Sequence, residues 1–190
     1  QVWDLTGAEP KKRALIKDAK VGSLAISSDG KSLSWWGTAT SFDDLHVVDL
    51  TGPEPVERAK FRTFGGAWAV AYSADGKTLA TGDGMKLRVF DMTGDKPRER
   101  VPAVGHVGAL GKASLSADGK AMATFGYNDP LVRMWDVSGA SPRVLGEPVS
   151  PYWPFCAISL APNGKTLASC SWDATIRLWD TTARFQEEKL

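Results

Sequence analysis

The hexapeptide MWDVSG (134–139) is one copy of a string that recurs along the whole chain. Its other copies are VWDLTG (2–7), VVDLTG (47–52), VFDMTG (89–94) and LWDTTA (178–183). Their aspartates, Asp4, Asp49, Asp91, Asp136 and Asp180, are 45, 42, 45 and 44 residues apart. A second string keeps the same period, as SSDGKSL (27–33), SADGKTL (73–79), SADGKAM (116–122) and APNGKTL (161–167). Two markers that stay in step over four cycles indicate a structural repeat.

Each cycle is typical of four short β-strands. Residues 21–26 alternate in polarity and lead into Ser28-Asp29-Gly30, a hairpin turn signal. Residues 31–37 and 45–50 have the pattern of the second and third strands, and the polar stretch 56–61 has that of a fourth. No window shows helical periodicity over a helical length, so the sequence predicts an all-β fold.

The period, the four strands per unit and the terminal Trp-Asp resemble the WD40-repeat β-propeller family, with degenerate repeats. The resemblance implies a single propeller segment of about four four-stranded blades. The expected boundaries are a half-blade at 1–19 and blades at about 21–62, 67–103, 108–149 and 155–190. Propeller rings close at about four to eight blades. We therefore expect this chain, which starts at Gln1, to be part of a longer protein; two copies sharing one ring and a closed ring of four are the alternatives.

In WD40 proteins a buried chain of His, Ser or Thr, Asp and Trp ties the strands of a blade together. The third cycle matches this pattern with His106, Thr124, Asp129 and Trp135, and the fourth keeps Ser169, Asp173 and Trp179 without the histidine. We predict that the third blade is the best ordered, and that Asp129→Ala costs about 1–3 kcal/mol. A His, a hydroxyl and an Asp also invite comparison with a catalytic triad, but no nucleophile elbow or obvious oxyanion hole accompanies them.

Aromatic residues near strand ends are the candidates for partner binding. By resemblance, recognition uses the face that carries the second-to-third-strand and fourth-to-first-strand connections. The residues expected there are Trp172, Tyr152, Trp153, Trp68 and Tyr127. Tryptophan and tyrosine are enriched in interface hot spots. The alternative is that several of them pack between blades, and at least one of Trp35 and Trp36 must point inward by strand alternation.

Composition argues against several classes of function. The 23 basic and 22 acidic residues give no overall attraction to nucleic acid or to an anionic membrane. The clusters at 11–13 and 98–100 are expected on outer strands, where charge discourages sheet-to-sheet aggregation. No metal-ligand cluster or phosphate loop is evident, so no cofactor or metal is expected. Cys156 and Cys170 are too few for a disulfide framework and favour a reducing, cytoplasmic compartment, although they could pair if their strands align them.

The sequence therefore predicts a non-catalytic platform for a protein or peptide partner, with a ring-completing homodimer as a further possibility. A propeller that binds small molecules or glycans is the alternative, and a propeller hydrolase is the least favoured one. The linkers at 6–10 and 51–55 loosely resemble those of bacterial multi-repeat proteins. That likeness predicts a bacterial origin and names no partner.

Overall fold

The computed structural model describes residues 1–16, 21–37, 44–63, 69–100, 103–146, 155–182 and 186–188 of the 190-residue chain. Every regular element within these ranges is a β-strand. The described residues include no helix that is long and apolar enough to cross a membrane.

The strands form a leading hairpin and four antiparallel sheets in chain order. The leading hairpin contains β1 (Val2–Asp4) and β2 (Lys11–Ala14). The first sheet contains β3 (Ser23–Ile26), β4 (Ser32–Trp36), β5 (Asp44–Asp49) and β6 (Val56–Arg62). The second contains β7 (Val70–Tyr72), β8 (Thr78–Asp83), β9 (Lys86–Asp91), β10 (Arg98–Glu99) and β11 (Ala103–Val104). The third contains β12 (Leu110–Leu115), β13 (Ala121–Gly126), β14 (Val132–Asp136) and β15 (Arg143–Gly146). The fourth contains β16 (Phe155–Leu160), β17 (Thr166–Ser171), β18 (Ile176–Asp180) and β19 (Gln186–Glu188).

This architecture confirms the all-β fold of four-stranded sheets that the repeat predicts. Successive strands pair with one another in the first, third and fourth sheets. The second sheet differs, because two short strands, β10 and β11, both pair with β9 in place of one fourth strand. Pro102 lies between them in the sequence, and proline has no N–H to donate to a strand ladder.

The recurring Asp-Gly-Lys string forms the turn between the first and second strands of a sheet. In the second sheet, Ser73 Oγ donates to Asp75 Oδ1 at 2.6 Å and the Lys77 amide donates to the same oxygen at 3.0 Å. Gly76 has a φ of 69°, a left-handed conformation that favours glycine. Neighbouring turns also bond to one another, since the Asp75 amide donates to the Ala117 carbonyl at 3.2 Å.

The core lies between neighbouring sheets, each of which covers the next. Leu45 and Val47 of the first sheet pack with Leu79 and Phe90 of the second. Leu87 and Val89 of the second pack with Leu110 and Met122 of the third, and Phe125 and Met134 of the third pack with Phe155 and Ile158 of the fourth. The alternating strands supply these side chains because every second residue points to the same face.

An arginine on the outer strand of one unit also holds the next unit. Arg58 on β6 donates through Nη2 to the Gly94 carbonyl of the second sheet at 2.6 Å. Arg13 on β2 bonds the Gly52 carbonyl of the first sheet at 2.8 Å, and Arg100 bonds the Val137 carbonyl of the third. We call these contacts arginine clasps. The basic clusters that the sequence assigned only to edge protection therefore also join units to one another.

The sheets form an open arc. The first strands β3, β7, β12 and β16 pack on one another in that order. On the outer side of the first sheet, Val2 and Ile16 of the leading unit pack on Trp35 and Leu33. The leading unit thus occupies part of the face that the fourth sheet would need, and the described residues do not form a closed ring of four. Trp3 stays 49% exposed there.

Candidate partner-binding face

One end of the arc carries a row of exposed apolar side chains. Met85, Tyr127 and Trp172 lie in the turns between the second and third strands of the second, third and fourth sheets, and are 51%, 48% and 74% exposed. Val107, which precedes β12, is 76% exposed. In an antiparallel sheet, the start of the first strand and the turn between the second and third strands lie at the same end. We call these four residues the hairpin face.

Local structure holds the hairpin-face side chains outward. Asn128 directly follows Tyr127, and Ala174 lies two residues after Trp172. Their φ values of 60° and 63° tighten the two turns. The Tyr127 ring packs edge-on against Phe125, with 6.1 Å between the ring centroids. Exposed aromatic groups on short, bonded turns bind a partner with little loss of conformational entropy.

Asp173 fixes the turn that carries Trp172. Its carboxylate accepts hydrogen bonds from the Thr175 hydroxyl at 2.6 Å, from the Thr175 amide at 3.0 Å and from Arg177 Nη2 at 2.7 Å. The Thr175 hydroxyl and then the Arg177 guanidinium lower the pKa of Asp173 to about 2. The carboxylate is therefore ionised at neutral pH and acts as a fixed acceptor for the turn.

The other residues predicted for partner binding are placed differently. Tyr152, Trp153 and Trp68 lie outside the described residues. Trp35 and Trp36 are both buried, at 8% and 3% exposed, so neither belongs to the hairpin face. Met85 and Val107 were missed because the sequence reasoning weighed only aromatic side chains, although Met85 directly follows the turn glycine Gly84.

The third sheet contains a buried polar chain. His106 Nε2 lies 2.8 Å from Thr124 Oγ1, and the Trp135 indole N–H donates to the same oxygen at 2.7 Å. His106 Nδ1 lies 2.8 Å from Asp129 Oδ2. Arg133 Nη1 also lies 2.7 Å from His106 Nδ1, so this ring nitrogen faces both the Asp129 carboxylate and the Arg133 guanidinium. The chain then runs from Trp135 through Thr124 and His106 to Asp129.

Asp129 is the acceptor at the end of this chain, and it is 0% exposed. Arg133 Nη1 donates to its Oδ2 at 2.7 Å, and the amides of Val107 and Leu131 donate at 3.0 Å each. Burial alone would raise the pKa of Asp129, but the Arg133, amide and His106 hydrogen bonds hold it below its usual value. Arg133, which the sequence reasoning missed, follows Asp129 by four residues and supplies the balancing charge.

The fourth sheet keeps only part of this arrangement. The Trp179 indole N–H donates to Ser169 Oγ at 2.9 Å, as Trp135 does to Thr124. Asp173 does not join that pair, because its described partners are Thr175 and Arg177. The structure therefore brings Ser169 and Trp179 together and leaves Asp173 in the turn beside the hairpin face.

Neither a metal centre nor a cofactor site is suggested by the described residues. They contain no cluster of three or more His, Cys, Asp or Glu side chains that could hold a metal ion. A cavity of about 510 Å³ lies between the first and second sheets, where Asp29, Lys31, Arg58 and Lys77 are among its lining residues. Its acidic and basic groups are mixed, and Arg58 is engaged in a clasp.

Comparison with known proteins places the repeats in a family. The family model described as "WD domain, G-beta repeat" matches residues 59–91 and 152–180. The chain is 30% identical to nuclear distribution protein PAC1 of Arthroderma otae in an alignment of 184 residues, which covers 84% of this chain. It is 28% identical to nuclear distribution protein PAC1-2 of Uncinocarpus reesii in an alignment of 137 residues, which covers 60% of this chain.

The chain spans 36% and 29% of the lengths of these two relatives. Both relatives are fungal proteins, so the predicted bacterial origin is not supported. The repeat period, the four-stranded sheets, the Trp135 and Trp179 hydrogen bonds and these matches agree with one another. The chain contains WD40 repeats, and its four-stranded sheets have the architecture of WD40 propeller blades.

Proposed function

We propose that this chain is a non-catalytic platform that binds a protein or peptide partner through the hairpin face. The observation that carries the proposal is the 74% exposure of Trp172 together with exposed Tyr127, Met85 and Val107 at the same end of three successive sheets. Isolated exposed apolar residues are ordinary, but a row of large ones that includes Trp and Tyr has the composition of an interface hot spot.

The burial of the polar chain in the third sheet supports a non-catalytic function. His106, Thr124 and Asp129 have the residue types of a hydrolytic triad, but they are 5%, 0% and 0% exposed. The Thr124 hydroxyl is already engaged by Trp135 and His106. A nucleophile must reach its substrate, so these residues suit a structural role and give the hydrolase alternative no support.

The glycan or small-molecule alternative needs a concave site beside the aromatic residues. Cavities of about 510, 380 and 360 Å³ lie among the described residues, and none of the three is lined by a residue of the hairpin face. The exposed row of Met85, Tyr127 and Trp172 suits a flexible peptide or a protein surface better than a small ligand.

The test selects peptides from a random display library against the chain and measures their affinities by fluorescence polarisation. Trp172→Ala and Tyr127→Ala should each weaken the selected peptides by about tenfold or more, because a hot-spot residue contributes about 2 kcal/mol or more. Leu145→Ala is the matched control, since Leu145 is 55% exposed on the outer strand β15. Peptides that lose affinity to L145A and keep it with W172A and Y127A would contradict the proposal.

We also propose that a second copy of the chain covers the open side of the first sheet. Leu24 and Ile26 on β3 are 60% and 52% exposed, whereas their counterparts Ile158 and Leu160 on β16 are 4% and 6% exposed. Beside them lies a cavity of about 360 Å³ lined by apolar side chains such as Val2 and Trp3. Sedimentation velocity should find a dimer that Ile26→Lys dissociates, and a stable monomer at high concentration would contradict this proposal.

A further inference from the structure

The two cysteines of the chain lie side by side on the fourth sheet. Cys156 is on β16 and Cys170 is on β17, and both thiols are free. Their sulfur atoms are 2.7 Å apart. Cys156 is exposed and Cys170 is partly buried, so a reagent in solution reaches Cys156 first.

The backbone brings these two sulfur atoms together. The pairing of β16 with β17 shifts register between Phe155 and Ala157, which places the intervening Cys156 beside Cys170. Cys156 and Cys170 are seven residues before and seven residues after the turn residue Asn163. In the third sheet the residues at the same distances from Asp118 are Gly111 and Phe125.

The third-sheet pair shows how little room this position has. A Cβ added to Gly111 would lie 2.5 Å from the Phe125 ring, which is too close for two full side chains. The first sheet has the same arrangement, with Gly22 beside the Trp36 ring. The fold therefore accepts one aromatic side chain opposite glycine at this position, and in the fourth sheet it holds two small thiols in contact.

We propose that Cys156 and Cys170 form a dithiol site that reacts with disulfides of the glutathione type and closes to an intrachain disulfide between β16 and β17. A disulfide bond is about 2.05 Å long, so small side-chain rotations bring the sulfur atoms to bonding distance. This site is separate from the hairpin face and does not depend on the proposed binding function.

The reaction consists of two exchange steps. The Cys156 thiol loses its proton, and its thiolate attacks one sulfur of oxidised glutathione, which breaks the glutathione S–S bond and releases one glutathione thiolate. The Cys170 thiolate then attacks the Cys156 sulfur of the mixed disulfide and releases the second glutathione. The two cysteines are oxidised by two electrons, glutathione disulfide is reduced by two, and the two protons are taken up by the released thiolates.

The contact between the thiols also sets the pH dependence of the reaction. The hydrogen bond with Cys170 raises the pKa of Cys156, with a smaller contribution from burial. Since the thiolate is the nucleophile, a raised pKa makes exchange slow near neutral pH and faster as the pH rises.

The test treats the reduced, folded chain with oxidised glutathione and follows the intact mass and the alkylation of the thiols. The wild type should lose the mass of two hydrogen atoms, lose alkylation at both thiols together and retain no glutathione. Peptide mapping should join Cys156 to Cys170. The Cys170→Ser variant should retain one glutathione on Cys156, because it has no resolving thiol.

Either of two outcomes with the wild type would overturn the proposal. One is a wild type that accumulates glutathione adducts or chain-to-chain disulfides. The other is a wild type whose two thiols remain as open to alkylation after treatment as before it. A Cys156→Ser variant that reacts faster than Cys170→Ser would also be contradictory, because it would make the less exposed thiol the attacking one.

Discussion

Replacing Asp129 with alanine tests the buried polar chain of the third sheet. The change removes the carboxylate that contacts His106 Nδ1 and that accepts hydrogen bonds from the Arg133 guanidinium and from the Val107 and Leu131 amides. Breaking a buried ion pair by removing one partner costs about 3–5 kcal/mol. The Arg133 side chain is 10% exposed and so can partly reach water. We therefore expect a loss of about 3 kcal/mol, at the low end of that range.

The expected loss lies at the upper end of the range of about 1–3 kcal/mol that the sequence predicts. The reason is the charge of Arg133, which the sequence reasoning did not include. Urea unfolding followed by tryptophan fluorescence measures it. With a slope of about 2 kcal/mol/M, the midpoint should fall by about 1.5 M. Asp118→Ala is the control, because the Asp118 carboxylate is 60% exposed and the Lys120 side chain beside it is 70% exposed. Equal midpoints for D129A and D118A would refute the reasoning.

Three further predictions concern the clasps and the hairpin turn. Arg58→Ala should lower the free energy of unfolding by about 1 kcal/mol, because it removes a charged donor to the Gly94 carbonyl. Leu145→Arg places an arginine nine residues after Asp136, the spacing that Arg58 keeps from Asp49, and should raise the thermal midpoint; midpoints that stay unchanged in both variants would count against the clasps. The pKa of Asp173 is about 2 in the fold and about 3.9 in an unfolded chain, so its stabilisation is present above pH 4 and lost as the pH falls. Asp173→Asn should therefore flatten the fall in thermal midpoint between about pH 4 and pH 2, and parallel curves for the two proteins would be the contrary result.

Local patterns made most of the fold predictable from the sequence. The Asp-Gly-Lys turn depends on contacts within five residues, such as those of Ser73, Asp75 and Lys77. Strand alternation sets which residues face the neighbouring sheet, as with Leu45 and Val47. Both kinds of contact repeat with the period of the sequence, so the repeat indicates them.

Contacts between repeats were harder to predict. Arg58 lies on an outer strand, and its acceptor is a turn carbonyl in the next repeat, which no local pattern indicates. Trp36 was also difficult, because strand alternation would place it opposite to Trp35. The absence of a side chain at Gly22 leaves room for the Trp36 ring, and Trp36 Nε1 donates to Thr63 at 3.2 Å. The positions of Arg58 and Trp36 therefore both depend on partners that are distant in sequence.

Oxidative footprinting of the aromatic side chains tests the central claim that Trp172 and Tyr127 are open to a partner while the repeat tryptophans form structure. Brief exposure of the folded chain to hydroxyl radicals, followed by peptide mass spectrometry, gives the oxidation rate of each ring. Trp172, at 74% exposed, should react fastest among the described tryptophans, and Trp135, at 1% exposed, should be strongly protected. Equal protection of Trp172 and Trp135 in the folded chain would contradict the account.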